Sequence, residues 1–422
     1  MIVSWFCIAA VHACISLAAE PSAVRAETIE GQSVAGTWAG LTDDGALALS
    51  QNGKSIVLRP SDLLSVSWPP TATMTASAPD GTPSTSTAPA SAPAEWPAEI
   101  HLKDGSRFPA RITAGDGQQV LLDTPLLDQW NVPLSLLAAI RFTTGSQSGA
   151  RSAFDQALTD RTAVEDTLLV AGQGNIQKLG GAVQSLGPQG GAFLWRQRTV
   201  PIQPGRTIGI VFAAGAASNS NPPKAACHLR DGSIWCGSLT GGDATAVRLL
   251  LGAGRQVSVP VALLQEIRFA SDRVVFLSDL TPADYKFEPW GVTRWLWRRD
   301  RSAANRPLRI AGQPYERGIG MHSKATLTYV LDGQFTHLAA VIGIDDDARP
   351  RGNAVFRVTA DGKEVFTSGP VTGRDPPRPI LVPIHKARTL QLIIDFGADL
   401  DLGDQADWCN VRVIKQGYKE VK

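Results

Sequence analysis

The chain has 422 residues, of which 43% are apolar, and its formal net charge is +1. This length is too great for one hydrophobic core, so the sequence predicts several folded domains. The balanced charge argues against a broad nucleic-acid-binding face, and we expect no nucleic-acid partner.

Residues 1–26 have the pattern of a secretory signal peptide. Ile2–Ala19 is apolar and contains no Lys or Arg, and small residues suitable for cleavage end at Ala19 and at Ala26. No basic residue lies near Met1, so a short membrane anchor stays open as an alternative, although the stretch is short for a transmembrane helix. We therefore expect a secreted or periplasmic protein whose only membrane contact is this segment.

Residues 98–142 are repeated without a gap 127 positions later, at 225–269. His101–Phe108 reads HLKDGSRF, His228–Trp235 reads HLRDGSIW, and both copies close on Ile-Arg-Phe. Weaker forms of the closing motif end at Trp68 and Phe212. A repeated sequence indicates a repeated structural unit, and short apolar runs between Asp-Gly and Asn-Gly turns are typical of strands.

The repeat predicts four small β units, at 29–68, 98–142, 150–212 and 225–269, of which the third begins with a short helix. A proline near the end of each unit precedes a short helical turn and a last strand. This arrangement resembles the small Sm-like and Src-homology-type β-barrels. Residues 69–97 are rich in Pro, Ala, Ser and Thr and are expected to form a flexible linker.

Two residue types in the repeats invite a chemical interpretation. His101 and His228 are equivalent, with no evident carboxylate partner, which indicates surface strand positions rather than metal ligands. Cys227 and Cys236 flank Asp231-Gly232; a two-residue turn would place them opposite each other, in position for a disulfide. A three-residue turn with Gly232 as a bulge would spoil that register and leave two buried thiols. Cys409 is expected to be buried and unpaired.

After Asp272 the repeat ends, and several short motifs follow in a fixed order. They are Leu277–Leu280, Gly318-Ile319-Gly320-Met321-His322, Ile344-Asp345-Asp346, Asp361-Gly362-Lys363 and Asp407-Trp408. In this order the motifs resemble the novel putative carbohydrate-binding module family (NPCBM), over residues 273–416. The resemblance implies a jelly-roll β-sandwich that binds a glycan, with galactose-type sugars as candidates. The sequence thus predicts an all-β protein, with several small β-barrel repeats followed by a C-terminal jelly-roll β-sandwich.

A sugar site needs flat aromatic rings for the apolar face of a pyranose and fixed polar groups for its hydroxyls. The predicted ligand-binding residues in the terminal domain are Trp295, His322, Asp345, Arg351, Asp407 and Trp408. Sheet packing is an alternative role for Trp295, and a buried anchor is an alternative role for Trp408. Asp345–Asp347, with Asp399, Asp401 and Asp404, also form a pattern compatible with a structural calcium, and no other cofactor is expected.

These features favour a secreted, non-catalytic carbohydrate-binding protein. The alternative is a structural cell-envelope protein whose terminal domain binds a protein partner. A glycoside hydrolase is the least favoured class, because the sequence shows no catalytic motif and no evident pair of acids for hydrolysis.

Overall fold

The structure, a computed structural model, is nearly all β, which confirms the predicted fold class. It describes residues 22–42, 45–69, 97–142, 149–172, 175–203, 205–215, 224–252, 254–290, 293–398 and 400–415. Residues 1–21 of the predicted signal peptide and residues 70–96 of the predicted linker lie outside these ranges. Within them, no helix has both the length and the apolar character needed to cross a membrane.

Repeat 1 is a five-stranded antiparallel sheet that begins earlier than the sequence predicts. Its strands are β1 (Ala23–Thr28), β2 (Ser33–Leu41), β3 (Leu47–Gln51), β4 (Lys54–Leu58) and β5 (Leu63–Ser67). Strand β1 pairs with both β2 and β5, so the order is β4-β3-β2-β1-β5. Val24 and Ala26 belong to the core. The predicted boundary at residue 26 would therefore cut through β1, whereas cleavage after Ala19 would leave it whole.

Repeats 2, 3 and 4 have the same order of strands. Repeat 2 contains β6 (Pro97–Leu102), β7 (Arg107–Asp116), β8 (Gln119–Asp123), β9 (Trp130–Pro133) and β10 (Leu137–Phe142). Helix α1 (Ala150–Thr159) precedes repeat 3, which contains β11 (Asp166–Ala171), β12 (Ile176–Gly187), β13 (Gly190–Trp195), β14 (Arg198–Ile202) and β15 (Thr207–Val211). Repeat 4 contains β16 (Ala225–Leu229), β17 (Ile234–Gly242), β18 (Ala246–Leu251), β19 (Gln256–Pro260) and β20 (Leu264–Phe269). The predicted helical turn before the last strand is a 3₁₀ turn at Pro60–Asp62, Leu134–Leu136 and Val261–Leu263.

A β-bulge recurs at the same place in the second strand of every repeat. The pairing register shifts after Trp38, Ile112, Val183 and Leu239. A bulge adds a residue to one strand only, which bends the strand and increases its twist. The four shifts therefore curl each sheet in the same way.

The last strands join the repeats in pairs. Strand β5 lies antiparallel to β20, with Val66 opposite Ile267, and β10 lies antiparallel to β15, with Ile140 opposite Ile210. Each of these residues occupies the same position in its own repeat. A position that pairs with its own equivalent defines a local two-fold relation, so repeats 1 and 4 form one pair and repeats 2 and 3 form another.

One hydrophobic core extends through all four repeats. Phe108 of repeat 2 stacks on Trp235 of repeat 4, with ring centroids 4.2 Å apart. The indole Nε1 of Trp38 in repeat 1 donates to the carbonyl oxygen of Asp243 in repeat 4 at 2.8 Å. A small repeat buries little apolar surface alone, so this shared core provides stability that single units lack.

The predicted disulfide between Cys227 and Cys236 is wrong. The β16–β17 register places Cys227 opposite Trp235 and Cys236 opposite Ala226, and both thiols are free and buried. The cause is the turn, in which Gly232 has a φ of +85° and its N–H donates to the carbonyl of Leu229. This longer turn shifts the register by one residue, which turns the two side chains to opposite faces. Cys409 is free and buried, as predicted.

The terminal domain consists of two antiparallel sheets that face each other. One sheet contains β21 (Val274–Phe276), β23 (Arg298–Arg299), β26 (Gly318–His322), β28 (Phe335–Ile344), β31 (Arg378–Pro383) and β33 (Gln405–Lys415). The other contains β22 (Asp284–Phe287), β27 (Ala325–Val330), β29 (Asn353–Ala360), β30 (Lys363–Thr372) and β32 (Thr389–Phe396). A short hairpin of β24 (Leu308–Ile310) and β25 (Gln313–Tyr315) lies beside them, and a 3₁₀ turn, Leu277–Asp279, follows β21. Trp408 packs edge-on against Phe356 in the core, with ring centroids 5.1 Å apart.

The terminal domain packs directly on repeat 1. The buried guanidinium of Arg412 donates to the carbonyl oxygen of Ile29 at 2.8 Å and lies 3.7 Å from the carboxylate of Glu27. Ile29 and Leu64 of repeat 1 share a small apolar cluster with Ile414. The domain is therefore fixed to the repeats by both apolar and charged contacts.

Candidate functional site

Trp295 and His322 form a stacked pair at one end of the terminal sandwich. Their rings are parallel to within 3°, with centroids 4.6 Å apart. His322 ends strand β26 and is 4% exposed, whereas Trp295 is half-buried. The stack therefore has a buried member and a member that reaches solvent.

The backbone around His322 fixes its ring. The Nδ1–H of His322 donates to the carbonyl oxygen of Ser323 at 2.9 Å. Burial lowers the pKa of His322, so the imidazole is neutral at pH 7. A neutral ring held by a hydrogen bond gives the Trp295 indole a rigid support.

The glycines of the Gly-x-Gly-x-His motif explain why β26 has this course. A Cβ on Gly320 would lie 2.3 Å from the carbonyl oxygen of Arg301, and a Cβ on Gly318 would lie 2.7 Å from that of Trp408. Only glycine allows such close backbone contact. The motif therefore brings β26 against its neighbours and places His322 at the sheet end.

A buried carboxylate joins three chain segments beneath this site. Asp404 accepts from the hydroxyl of Ser323 at 2.5 Å and from the backbone N–H of Asn353 at 2.9 Å. Asp404 is fully buried. The sequence pattern indicates Asp404 only as a calcium ligand. Its hydrogen bonds to Ser323 and Asn353, which hold these segments together, do not follow from any sequence pattern.

Exposed apolar side chains lie on the loops at this end of the sandwich. Trp290 is 64% exposed, Leu402 is 67% exposed, and the ring of Trp290 meets Phe396 edge-on at 6.4 Å. The backbone of Leu400 forms an isolated antiparallel β-bridge with Gly397, the residue that follows Phe396. The carboxylate of Asp401 acts electrostatically on His322. We call Trp290, Trp295, His322, Arg351, Leu400, Asp401 and Leu402 the loop-end surface.

Arg351 is exposed, and its backbone N–H donates to the carbonyl of Ala348. It borders Gly403, which precedes the buried Asp404. Trp295, His322 and Arg351 are thus the predicted ligand-binding residues that lie at this end of the sandwich. The surface is completed by Trp290, Leu400, Asp401 and Leu402. The sequence pattern indicates Asp401 only as a calcium ligand, and no sequence pattern predicts that the loop places the two leucines here.

The other three predicted ligand residues are buried in the interior. Trp408 and Asp407 are fully buried, and Asp345 is 1% exposed. Burial, together with Asp345 beside it, raises the pKa of Asp407 well above its ordinary value, and burial raises the pKa of Asp345 as well. These side chains are closed to an external sugar, because β33 carries the Asp-Trp motif through the middle of its sheet.

Among the residues considered for calcium, those that the structure describes have other contacts. Asp347 pairs with Arg306 at 3.0 Å, and Asp346 accepts from the N–H of Gly312 at 2.9 Å. Asp404 is occupied as described, and Asp399 lies outside the described residues. Across the described ranges, no group of three or more His, Cys, Asp or Glu side chains has an arrangement that would hold a metal ion. Asp346, Asp347 and Asp404 accept from an N–H group, a guanidinium group and a hydroxyl group, respectively.

The two repeated histidines differ from each other, which corrects the expectation that neither has a carboxylate partner. His101 Nε2 lies 2.7 Å from a carboxylate oxygen of Glu99, which also pairs with Arg141 at 2.8 Å. The hydrogen bond from His101 is the main reason that the pKa of Glu99 falls to about 2. In repeat 4, Ala226 replaces this acid, and the imidazole of His228 makes no hydrogen bond within the described part of the chain.

Comparison with known proteins supports the interpretation of the terminal domain. Residues 273–414 match the family model of the NPCBM/NEW2 domain, which confirms the resemblance drawn from the motifs. A putative endo-alpha-N-acetylgalactosaminidase of Renibacterium salmoninarum is 32% identical over 108 residues, which are 26% of this chain and 7% of that protein. Alpha-1,3-galactosidase B of Akkermansia muciniphila is 30% identical over 118 residues, which are 27% of this chain and 15% of that protein. The chain thus spans only a small part of these curated relatives.

Solved structures give matches of the same kind. The CBM51 module of Clostridium perfringens GH95, in complex with methyl-galactose, is 24% identical to this chain, with a TM-score of 0.30. That match covers 33% of this chain and 99% of the module.

Proposed function

We propose that the NPCBM/NEW2 domain at residues 273–414 binds a glycan through the loop-end surface, and that the whole chain is an exported, non-catalytic carbohydrate-binding protein of the periplasm or cell exterior. The observation that carries this proposal is the Trp295–His322 stack. It presents a rigid aromatic face at the end of the sandwich, and its inner ring is locked by the backbone.

The chemistry of the surface suits a sugar. A pyranose has an apolar face that packs on an aromatic ring, and its hydroxyls seek directional polar partners. Trp295 supplies the ring, while Arg351 and Asp401 supply a guanidinium and a carboxylate at the rim. Because the stack is already assembled, little conformational entropy is lost on binding. The names of the relatives, an endo-alpha-N-acetylgalactosaminidase and an alpha-1,3-galactosidase, agree with a glycan as the ligand.

A glycoside hydrolase reaction is not favoured by the acids of this domain. Retaining and inverting enzymes need two carboxyl groups that flank a bound substrate. Asp345 and Asp407 are near each other, but both are buried in the sandwich, and burial raises the pKa of each. A structural role in the cell envelope, with a protein partner on the same domain, is the alternative that the following test addresses.

The test is a glycan array probed with the full chain. We expect binding to a subset of glycans, with galactose-terminated structures as the first candidates, and a loss of tenfold or more in Trp295→Ala. Trp195→Ala is the matched control, because Trp195 is a half-buried tryptophan of repeat 3, remote in sequence from the terminal domain. An array without binding, together with capture of an envelope protein by the same domain, would contradict the proposal. Equal binding by the wild type and Trp295→Ala would also contradict it.

A further inference from the structure

Helix α1 covers the joined repeats 2 and 3. Phe154 is fully buried and packs with Ala139, Ile208 and Val211 on strands β10 and β15. Its ring also contacts the imidazole of His101, with centroids 5.5 Å apart and the ring planes tilted by 58°. The helix therefore closes the surface around this histidine.

The pair formed by repeats 1 and 4 has no such helix within the described residues. The local two-fold relation places Leu64 where repeat 3 has Ile208, and there the terminal domain packs instead, through the cluster that contains Ile414. The terminal domain does not cover repeat 4 completely at His228. His228, the equivalent of His101, faces a cavity of about 370 Å³ rather than a phenyl ring.

Three parts of the chain line this cavity. Its polar side chains are Arg107 from repeat 2; His228, Ser233, Gln265, Glu266 and Arg268 from repeat 4; and Glu316 from the terminal domain. Pockets that bind small molecules occur preferentially at such domain junctions, and volumes of about 300–1,000 Å³ are typical. The site exists only when the repeats and the domain are assembled.

The lining is polar but electrically balanced. Arg268 pairs with Glu266 at 2.8 Å and also with Glu316, whereas the Arg107 guanidinium donates to the carbonyl oxygen of Gly232 at 3.4 Å. The lining thus contains two guanidinium groups and two carboxylates. Burial, and then the charge of Arg268, lowers the pKa of His228, which keeps its ring neutral at pH 7. Balanced charges give little attraction to an ion, whereas carboxylate oxygens, guanidinium N–H groups and the Gln265 amide can bond hydroxyls.

We propose that this junction cavity is a second binding site, for one neutral pyranose unit whose ring lies over the imidazole of His228. In repeat 2 the equivalent imidazole of His101 contacts the tilted ring of Phe154, so a ring already occupies the corresponding position there. The hydroxyls of the sugar face Glu266, Gln265 and Arg107. This site is independent of the loop-end surface, which lies elsewhere on the terminal domain.

Histidine-selective NMR of the full chain tests the proposal. The chain has six histidines. The His228 signal reports the junction cavity, that of His322 reports the loop-end surface, and that of the covered His101 is an internal control. The probes are methyl galactoside, methyl glucoside and N-acetylglucosamine, with inorganic phosphate as the ionic comparison.

We expect at least one sugar to shift the His228 signal saturably while the His101 signal stays fixed. The shift should persist in Trp295→Ala and disappear in Gln265→Trp, which fills the cavity from an exposed position. Ser258→Trp is the matched control, because Ser258 is exposed on β19 of the same repeat and does not line the cavity.

Two results would overturn the proposal. One is a His228 signal that no sugar moves, or that only phosphate moves. The other is a His228 shift that disappears in Trp295→Ala, since the signal would then report the loop-end surface. A loss of the His322 response alone would instead count against the proposed function and leave the junction site standing.

Discussion

Asp407 lies in the middle of β33, and neither of its carboxylate oxygens has a hydrogen-bond donor within the described part of the chain. A buried carboxyl without donors is costly as an anion, so burial and Asp345 raise its pKa. The sequence motif Asp-Trp marks this position but does not reveal its burial. Family motifs include core residues as well as ligand residues. Side chains alternate between the two faces of a strand, but the sequence does not tell which face is covered by the other sheet.

Replacing Asp407 by Asn should stabilise the protein at pH 7. The folded-state pKa is raised, so above the unfolded-state value, near 4, the unfolded chain releases this proton first and stability falls as pH rises. Asn does not ionise, so the free energy of unfolding should rise by about 1 kcal/mol or more at pH 7. A pKa difference of one between the folded and unfolded states corresponds to about 1.4 kcal/mol. Urea unfolding of the variant and the wild type at pH 7 and at pH 3.5 measures this difference in the free energy of unfolding.

The gain of Asp407→Asn should vanish at pH 3.5, where the carboxyl is protonated in both states. Asp284→Asn, at a half-exposed carboxylate of β22, is the control and should change stability little at either pH. A destabilised Asp407→Asn protein at pH 7 would show that the carboxylate is ionised and paired.

At the scale of single elements, the β16–β17 hairpin shows what a sequence pattern leaves undecided. The sequence repeat, offset by 127 positions, predicts the hairpin and its Asp-Gly turn, and the structure has both. The register depends on whether the turn has two or three residues, which the dipeptide alone does not specify. One residue of slip is enough to separate Cys227 from Cys236.

Both thiols should therefore remain free in protein prepared without reductant. Burial raises the pKa of Cys227 and of Cys236 to about 12, so thiolate is scarce at pH 8 and reaction with a thiol reagent should be slow until the chain unfolds. Mass spectrometry after alkylation, with and without denaturant, measures this. Recovery of a peptide that contains Cys227 disulfide-linked to Cys236 would refute the register.

Strand β26 depends on its glycines. Gly320→Ala brings a Cβ to within 2.3 Å of the carbonyl oxygen of Arg301, and we expect a loss of about 3 kcal/mol and weaker glycan binding, because His322 shifts with the strand. Gly187→Ala is the matched control, since its Cβ would meet only the carbonyl oxygen of Gly190, at 3.7 Å. Urea unfolding compares the two variants, and equal midpoints would contradict the close approach.

At the scale of the whole molecule, a buried cation joins the terminal domain to repeat 1, beside the apolar cluster that contains Ile414. Arg412 is 1% exposed, and burial lowers its pKa to about 10, which leaves it charged at pH 7. Its contacts to Ile29 and Glu27 join parts of the chain separated by more than 380 residues. The sequence predicts the repeats and the domain separately, but not this docking, because no local pattern encodes a contact over that distance.

Arg412→Ala should loosen the docking and destabilise the chain by about 3 kcal/mol, because the carbonyl of Ile29 and the half-buried Glu27 lose their partner. Differential scanning calorimetry should change from one cooperative transition to two. Arg388→Ala, at an exposed arginine of the same domain, should keep the wild-type profile. An unchanged single transition in Arg412→Ala would show that the docking does not depend on this residue.

A crystal structure of the full chain with the glycan that binds best on the array is the decisive test of binding at the loop-end surface. We expect a pyranose ring stacked on the exposed face of Trp295, with hydroxyls directed at Arg351 and Asp401. A glycan bound to another face of the terminal domain, with the Trp295 ring bare, would contradict it.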